Sequence, residues 1–409
     1  MENEIPTKFR RLTREEVTFT LPASTISDLL QHTNESGIIG QPRALRAMQI
    51  ATNIRKKGYN LFVTGNPGTG RHSAVKKVLS EHTPKQKNFE DIAYVFNFNK
   101  PEKPRVLYFP GGEAVEFKRA MHHLVENLKA VIKAKLESDA FKEQRKGLVE
   151  VIEGQENQIL AEFESELTND NFEIVQVDDE ETASSDIVPF YNGKRTSFHE
   201  LQSKLIKGEI SKDEWNRIRE KYYSYMDKMK QIFKELRDNR EMMEEELEAL
   251  RTETVKPDVH IEVERIRERY DDSAVCEYLE ELEHDILENI YLFTSERTFT
   301  DELGNPRLIR YGVNVLVDNS RRDTVPIVFE NHPNYTNLFG TIETIFERGG
   351  EVRTSFMMIR PGSLINASGG FIILRAEDLF QETASWFHLK RVLLTGMLEI
   401  QSQSTYSNL

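Results

Sequence analysis

Nine consecutive residues, Gly65-Asn66-Pro67-Gly68-Thr69-Gly70-Arg71-His72-Ser73, carry the most legible chemistry of this chain. Glycines at 65, 68 and 70 let the backbone curl so that its N–H groups face one point. A helix opening at the end of the curl adds positive partial charge there, and the two together make an anion site. An apolar run over residues 59–64 precedes the loop, and a helical stretch over 73–79 follows it. That is the strand–loop–helix grammar of a phosphate-binding loop. The usual pattern closes on Gly-Lys-Ser/Thr, the lysine reaching phosphate and the hydroxyl holding magnesium. Here Arg71 holds the lysine position and His72 the hydroxyl position. Arginine keeps the charge but presents a planar fork, whereas His72 has no hydroxyl. Ser73 has one, about 100° further round the helix. ATP and Mg2+ are the cofactors such a loop implies, with Ser73 as the hydroxyl ligand.

A P-loop ATPase also needs a carboxylate at the end of a neighbouring strand to hold the metal, and a second to polarise the attacking water. Two strands compete for this place. One, over 371–374, is followed by Arg375-Ala376-Glu377-Asp378, so arginine stands directly after the strand. Glu377 and Asp378 are then the candidate metal ligands, their alternative reading being solvated charges at a helix start. The other, over 313–317, is followed directly by Asp318. Arg71, His72 and Arg375 together remove magnesium contacts from both sides of the site, and losing such preorganised charge stabilisation costs several kcal/mol of barrier. Binding without efficient turnover is the physical expectation. Adjacent His122 and His123 point about 100° apart on a helix and cannot share an ion as an i, i+4 pair would. No Ser/His/Asp set, CxxC pair or HExxH is present.

The elements that must position these residues follow from composition and pattern. At 409 residues the chain exceeds one hydrophobic core, so two or three domains are expected. A net charge of −14 disfavours a generic nucleic-acid binder. The single cysteine, Cys276, leaves no internal disulfide and fits a reducing cytoplasm. No apolar run reaches the about 18 residues of a spanning helix, and the N-terminus lacks a signal-peptide core. A cytoplasmic protein with no membrane or nucleic-acid partner is expected. Residues 1–35 form an N-terminal segment and 36–112 the first α/β half, with the loop. Residues 113–300 carry long amphipathic stretches over 115–167, 212–252 and 259–291, with a small hairpin marked by Asn192-Gly193. The α/β text returns over 301–409. The fold class is an α/β P-loop NTPase core interrupted by a long α-helical, coiled-coil-like insertion that carries a β-hairpin.

With these residues in view, the chain resembles the bacterial Lon-like proteases whose AAA+ ATPase domain is interrupted by a helical insertion. The resembling segments are Ile38-Ile39-Gly40-Gln41-Pro42-Arg43-Ala44-Leu45, Gly58-Tyr59-Asn60-Leu61-Phe62-Val63 and Lys103-Pro104-Arg105-Val106-Leu107 in the first half. In the second half they are Tyr311-Gly312-Val313-Asn314-Val315-Leu316-Val317-Asp318, Asn337-Leu338-Phe339-Gly340-Thr341-Ile342-Glu343, Ile359-Arg360-Pro361-Gly362-Ser363-Leu364 and Ala367-Ser368-Gly369-Gly370-Phe371. The resemblance adds Gly40 and Gln41 to the nucleotide-binding set. It implies an AAA+ ATPase that assembles as a homo-oligomeric ring, handles unfolded polypeptide and is joined to a serine protease with a Ser–Lys dyad. Two departures stand out. The family commonly has an acidic residue where Arg375 stands. The sequence also stops soon after the second acid strand, leaving the later ATPase strands, the helical lid, the arginine finger and the protease nothing to occupy, so no catalytic residue is carried over. The reading is the ATPase and substrate-handling part of a Lon-like ATP-dependent protease; the alternative is a catalytically inactive AAA+-like scaffold. Ser368-Gly369-Gly370 also mimics the signature of chromosome-maintenance ATPases, but that signature needs a helix of roughly fifteen residues before the acid strand, and here the strand starts at once.

Overall fold

Short α/β elements flank a block of long helices. A computed structural model describes residues 11–18, 20–31, 41–54, 56, 58–82, 89–179, 182–294, 306–346 and 352–401. In chain order, α1 (Arg14–Val17) is closed by a Thr13/Glu16 capping box, and α2 (Ala23–Gln31) and α3 (Pro42–Asn53) follow. Next come α4 (Arg71–His82), β1 (Glu90–Val95) and β2 (Arg105–Pro110). The long helices α5 (Glu113–Leu136) and α6 (Asp139–Asn169) lead to β3 (Phe172–Asp179), β4 (Thr182–Tyr191) and β5 (Lys194–Arg195). Helices α7 (Phe198–Ile206), α8 (Lys212–Arg267), α9 (Ser273–Glu288) and α10 (Tyr291–Thr294) return. Then come β6 (Val313–Val317), β7 (Ile327–Glu330), α11 (Tyr335–Phe339), β8 (Gly340–Ile342), β9 (Ile345–Phe346) and β10 (Val352–Arg353). The last elements are β11 (Ile359–Pro361), α12 (Ser363–Asn366), β12 (Phe371–Leu374), α13 (Ala376–Leu379) and α14 (Thr383–Thr395).

Contacts divide the chain into two units. The larger takes Asn88–Arg321, Gly340–Ile365 and Ile400–Leu409. Its sheet has the order β2-β1-β6, antiparallel throughout. Buried Phe117, Met121, Leu124, Leu128 and Ile132 recur at three and four spacing along α5 and meet Val255, Val259 and Val263 of α8 and Tyr278, Leu282 and Ile286 of α9. A second cluster joins Phe163 and Leu167 of α6, Phe172 and Ile187 of the β3–β4 pair, and Met229, Ile232 and Leu236 of α8. Asn192 (φ 51°) and Gly193 (φ 75°) close the tight turn between β4 and β5, in the left-handed conformation such a turn demands.

Two helical expectations are corrected. The stretch 115–167 is two helices, because the Ser138 hydroxyl accepts from Phe141 N (3.3 Å) and starts α6 anew. The stretches 212–252 and 259–291 regroup: α8 runs through Pro257 and the break falls at Asp272, which caps α9. Val255, Val259 and Val263, all buried on α5 and α9, offset the about 3 kcal/mol that an interior proline costs a helix.

The smaller unit takes Met1–Lys87, Arg322–Phe339 and Asn366–Glu399. Its β12 and β7 pair in parallel, Phe371 opposite Ile327 and Leu374 opposite Glu330. Helices α3 and α4 pack through Met48, Ala74 and Val78, with Leu45, Val63 and Val75 against them. The run 59–64, expected as a strand, has no ladder partner among the described residues. Val63 alone of it joins the core, while Tyr59, Leu61 and Phe62 are exposed. An apolar run becomes a strand only where another strand takes its N–H and C=O groups.

Candidate functional site

Helix α4 begins at Arg71, two residues before the expected 73, so Arg71, His72 and Ser73 make its first turn. Gly68 (φ 81°) and Gly70 (φ 73°) both adopt the left-handed conformation, with open space where a Cβ would stand. Thr69 closes the turn on Asn66 O, donating both its N–H (3.3 Å) and its Oγ1–H (2.8 Å). The first helical bond runs from Ala74 N to Gly70 O (2.8 Å), so the N–H groups before Ala74 have no intrahelical acceptor. They are the donors an anion would take. Arg71 folds back across the loop: a Cβ added at Gly65 would stand 3.3 Å from Arg71 Cδ and 3.2 Å from Thr69 Oγ1.

His72 turns elsewhere. Its ring packs on Phe329 of β7, centroids 4.7 Å apart and planes tilted 45°. Phe329 lies opposite Ile373, one pair before the carboxyl ends of β7 and β12. The amino end of α4 is thereby tied to the carboxyl end of a parallel pair, where open α/β sheets form their ligand crevices. The sequence reading missed Phe329, although Val325-Pro326-Ile327-Val328-Phe329 is itself an apolar run.

The other candidates are placed as follows. Gln41 is the cap of α3, making no side-chain capping bond, with Pro42 as the first helical residue; Gly40 lies outside the described residues. Asn66 and Pro67 are exposed on the turn. Arg375, directly after β12, faces both acidic candidates: its Nε lies 3.5 Å from Asp378 Oδ2 and its Nη2 3.8 Å from Glu377 Oε2. Asp318, at the end of β6, belongs to the other unit, where its carboxylate accepts from Ser320 N (2.8 Å).

Polyphosphate fits this loop, by its two left-handed glycines, the free N–H groups of the first turn and the guanidinium of Arg71. Magnesium does not fit the donors on view. His72 is packed on an aromatic ring, both carboxylates are paired with arginine, and among the described residues no group of three His, Cys, Asp or Glu side chains is placed to hold a metal.

Comparison with known families finds two partial matches. Residues 323–409 match the LonB-like AAA domain, and residues 91–124 match the Lon-like LonC helical domain. Both matched segments are similar to Lon-like domains, as the sequence motifs lead one to expect. The AAA-like segment takes in Phe329, Arg375, Glu377 and Asp378. The helical match covers β1, β2 and the first half of α5; the loop at 65–73 lies outside both matched segments. No curated protein matches the chain. No helix among the described residues is long and apolar enough to cross a membrane.

Proposed function

We propose that this chain is the ATP-binding and substrate-handling part of a Lon-like ATP-dependent protease, holding nucleotide at residues 65–73 and turning it over slowly. The observation that carries the reading is the glycine turn opening into α4, whose first-turn N–H groups have no intrahelical acceptor and whose His72 ring packs on Phe329, one pair before the carboxyl ends of β7 and β12. Slow turnover rests on Arg375, which stands directly after β12 and engages Glu377 and Asp378. In this reading Gly40 and Gln41 would belong to the nucleotide-binding set. Residues 36–112 and 301–409 form the ATPase core, residues 113–300 are inserted in it to receive unfolded polypeptide, and the chain works in a cytoplasmic homo-oligomeric ring.

Titration with a fluorescent ATP analogue tests the first part. Saturable binding is expected, weakened roughly 10- to 100-fold by Arg71→Ala, the worth of one or two charge-assisted hydrogen bonds. Phosphate release should stay near the blank; robust magnesium-dependent release would refute slow turnover. The pairing of both acidic candidates with Arg375 also favours a second reading, an inactive AAA+-like scaffold. Absence of nucleotide binding would select it.

A further inference from the structure

We propose that His72 takes magnesium out of the chemistry of this loop, so that the native chain binds a polyphosphate anion without a divalent cation. The inference rests on the nucleotide-binding reading above and concerns the same site.

In a phosphate loop, the side chain after the lysine position supplies the hydroxyl that magnesium requires. Position 72, the second residue of α4, is that position. Its imidazole lies against Phe329, in a tilted geometry suited to an aromatic pair. A ring nitrogen is a poor substitute for oxygen on a hard, octahedral cation. Ser73 points about 100° away around the helix. On the strand side, Leu374 pairs with Glu330, the residue after Phe329, and the side chain that follows Leu374 is the Arg375 guanidinium. The contact that displaces the cation's hydroxyl ligand and the arginine in place of its carboxylate therefore lie along the same strand ends. Arg71 supplies what the metal would have supplied: a permanent positive charge, as a planar fork matched to phosphate oxygens.

The test uses the full chain, a fluorescent ATP analogue, and two buffers, one with excess EDTA and one with magnesium. The native chain should bind with affinities within about twofold of each other in the two buffers. His72→Thr restores a hydroxyl at the metal position and should gain a magnesium preference of about tenfold or more. His72→Ala removes the ring without supplying an oxygen, and should remain indifferent to magnesium. The His72 side chain is exposed, so both variants should keep the native melting temperature. A native chain that binds about tenfold tighter with magnesium would overturn the proposal, as would equal behaviour of the threonine and alanine variants. If the native chain binds in neither buffer, the nucleotide-binding reading fails by itself. Magnesium-dependent binding by His72→Thr alone would then still assign His72 as the obstruction, and no binding by that variant would remove the assignment as well.

Discussion

Removing the carboxylate of Asp91 should strongly destabilise the larger unit. Asp91 lies on β1 and is fully buried. One of its oxygens accepts from Gly112 N (2.7 Å) and Ala114 N (3.3 Å), at the start of α5; the other accepts from Asn319 N (2.7 Å), just beyond β6. Gly112 occupies the cap position of α5 and makes no side-chain capping bond, so Asp91 caps the helix from a neighbouring strand. It clasps together the point where the chain leaves for the long helices and the point to which it returns. Bonds to a charged acceptor contribute about 1.5–3 kcal/mol each, and a buried donor left without a partner costs about 1–3 kcal/mol. The three donors share one group, so the terms do not add, and Asp91→Ala should cost about 3–5 kcal/mol. At about 2–4 °C per kcal/mol in a unit of this size, the melting temperature followed by far-UV circular dichroism should drop by about 6–20 °C. Asp91→Asn keeps one acceptor oxygen but turns an NH2 towards a donor, and should fall between the two. A drop of under about 3 °C for the alanine variant would show that other groups hold this junction, and the reasoning would fail.

Two further perturbations act on the smaller unit. A Cβ at Gly370 would lie 2.0 Å from Pro326 O, the carbonyl that accepts from Phe371 N (2.8 Å) at the start of the β7–β12 pair; Gly370→Ala should therefore cost roughly 3 kcal/mol or more, and amide exchange at 371–374 no faster than in the native chain would contradict this. His388 sits between Tyr335 (ring centroids 5.0 Å) and Phe339 (4.4 Å), and burial, then the Arg391 charge, hold its imidazole below the usual histidine range against an opposing pull from Glu399. A folded-state pKa below the unfolded one means that the contribution is complete above about pH 6.5 and is lost as pH falls through the folded value. The packing of α11 on α14 should loosen as pH falls below about 6.5, read as amide protection lost at 335–339, and His388→Phe should flatten the response; a native profile unchanged below that pH would remove the linkage.

Elements whose signal is local were legible. The runs 313–317 and 371–374 coincide with β6 and β12 because short apolar runs bounded by turn residues have few other conformations that shield them. The Asn192-Gly193 turn announced its own geometry. Features set by distant partners were not legible. Ser138 is an ordinary polar residue until its hydroxyl caps α6, and Pro257 reads as a helix end until three buried valines hold the helix through it. Asp91 shows nothing in sequence of its role as a remote cap. The same distinction runs through the site: the anion-binding part of 65–73 depends on its own backbone, whereas the fate of His72 depends on Phe329, more than two hundred residues away.

The competition between the two acid strands turns on the same kind of information. Both β6 and β12 end beside charged residues, and sequence alone left Asp318 in play against Glu377 and Asp378. The structure places β12 in the unit that holds the loop and pairs it in parallel with β7, whereas β6 lies antiparallel to β1 in the other unit. A carboxylate that serves the loop from a parallel strand of its own unit must therefore end β7 or follow β12; Glu330 ends β7, and its carboxylate accepts from His332 N (2.8 Å). The residue directly after β12 is Arg375, and the next two carboxylates along the chain, Glu377 and Asp378, are both its partners. On the proposed reading, polyphosphate binding rests on the turn at 65–73, and loss of the metal rests both on His72 and on the end of β12. Restoring an aspartate at position 375 alone should release Glu377 and Asp378 without making the loop hold magnesium, because His72 still occupies the hydroxyl position.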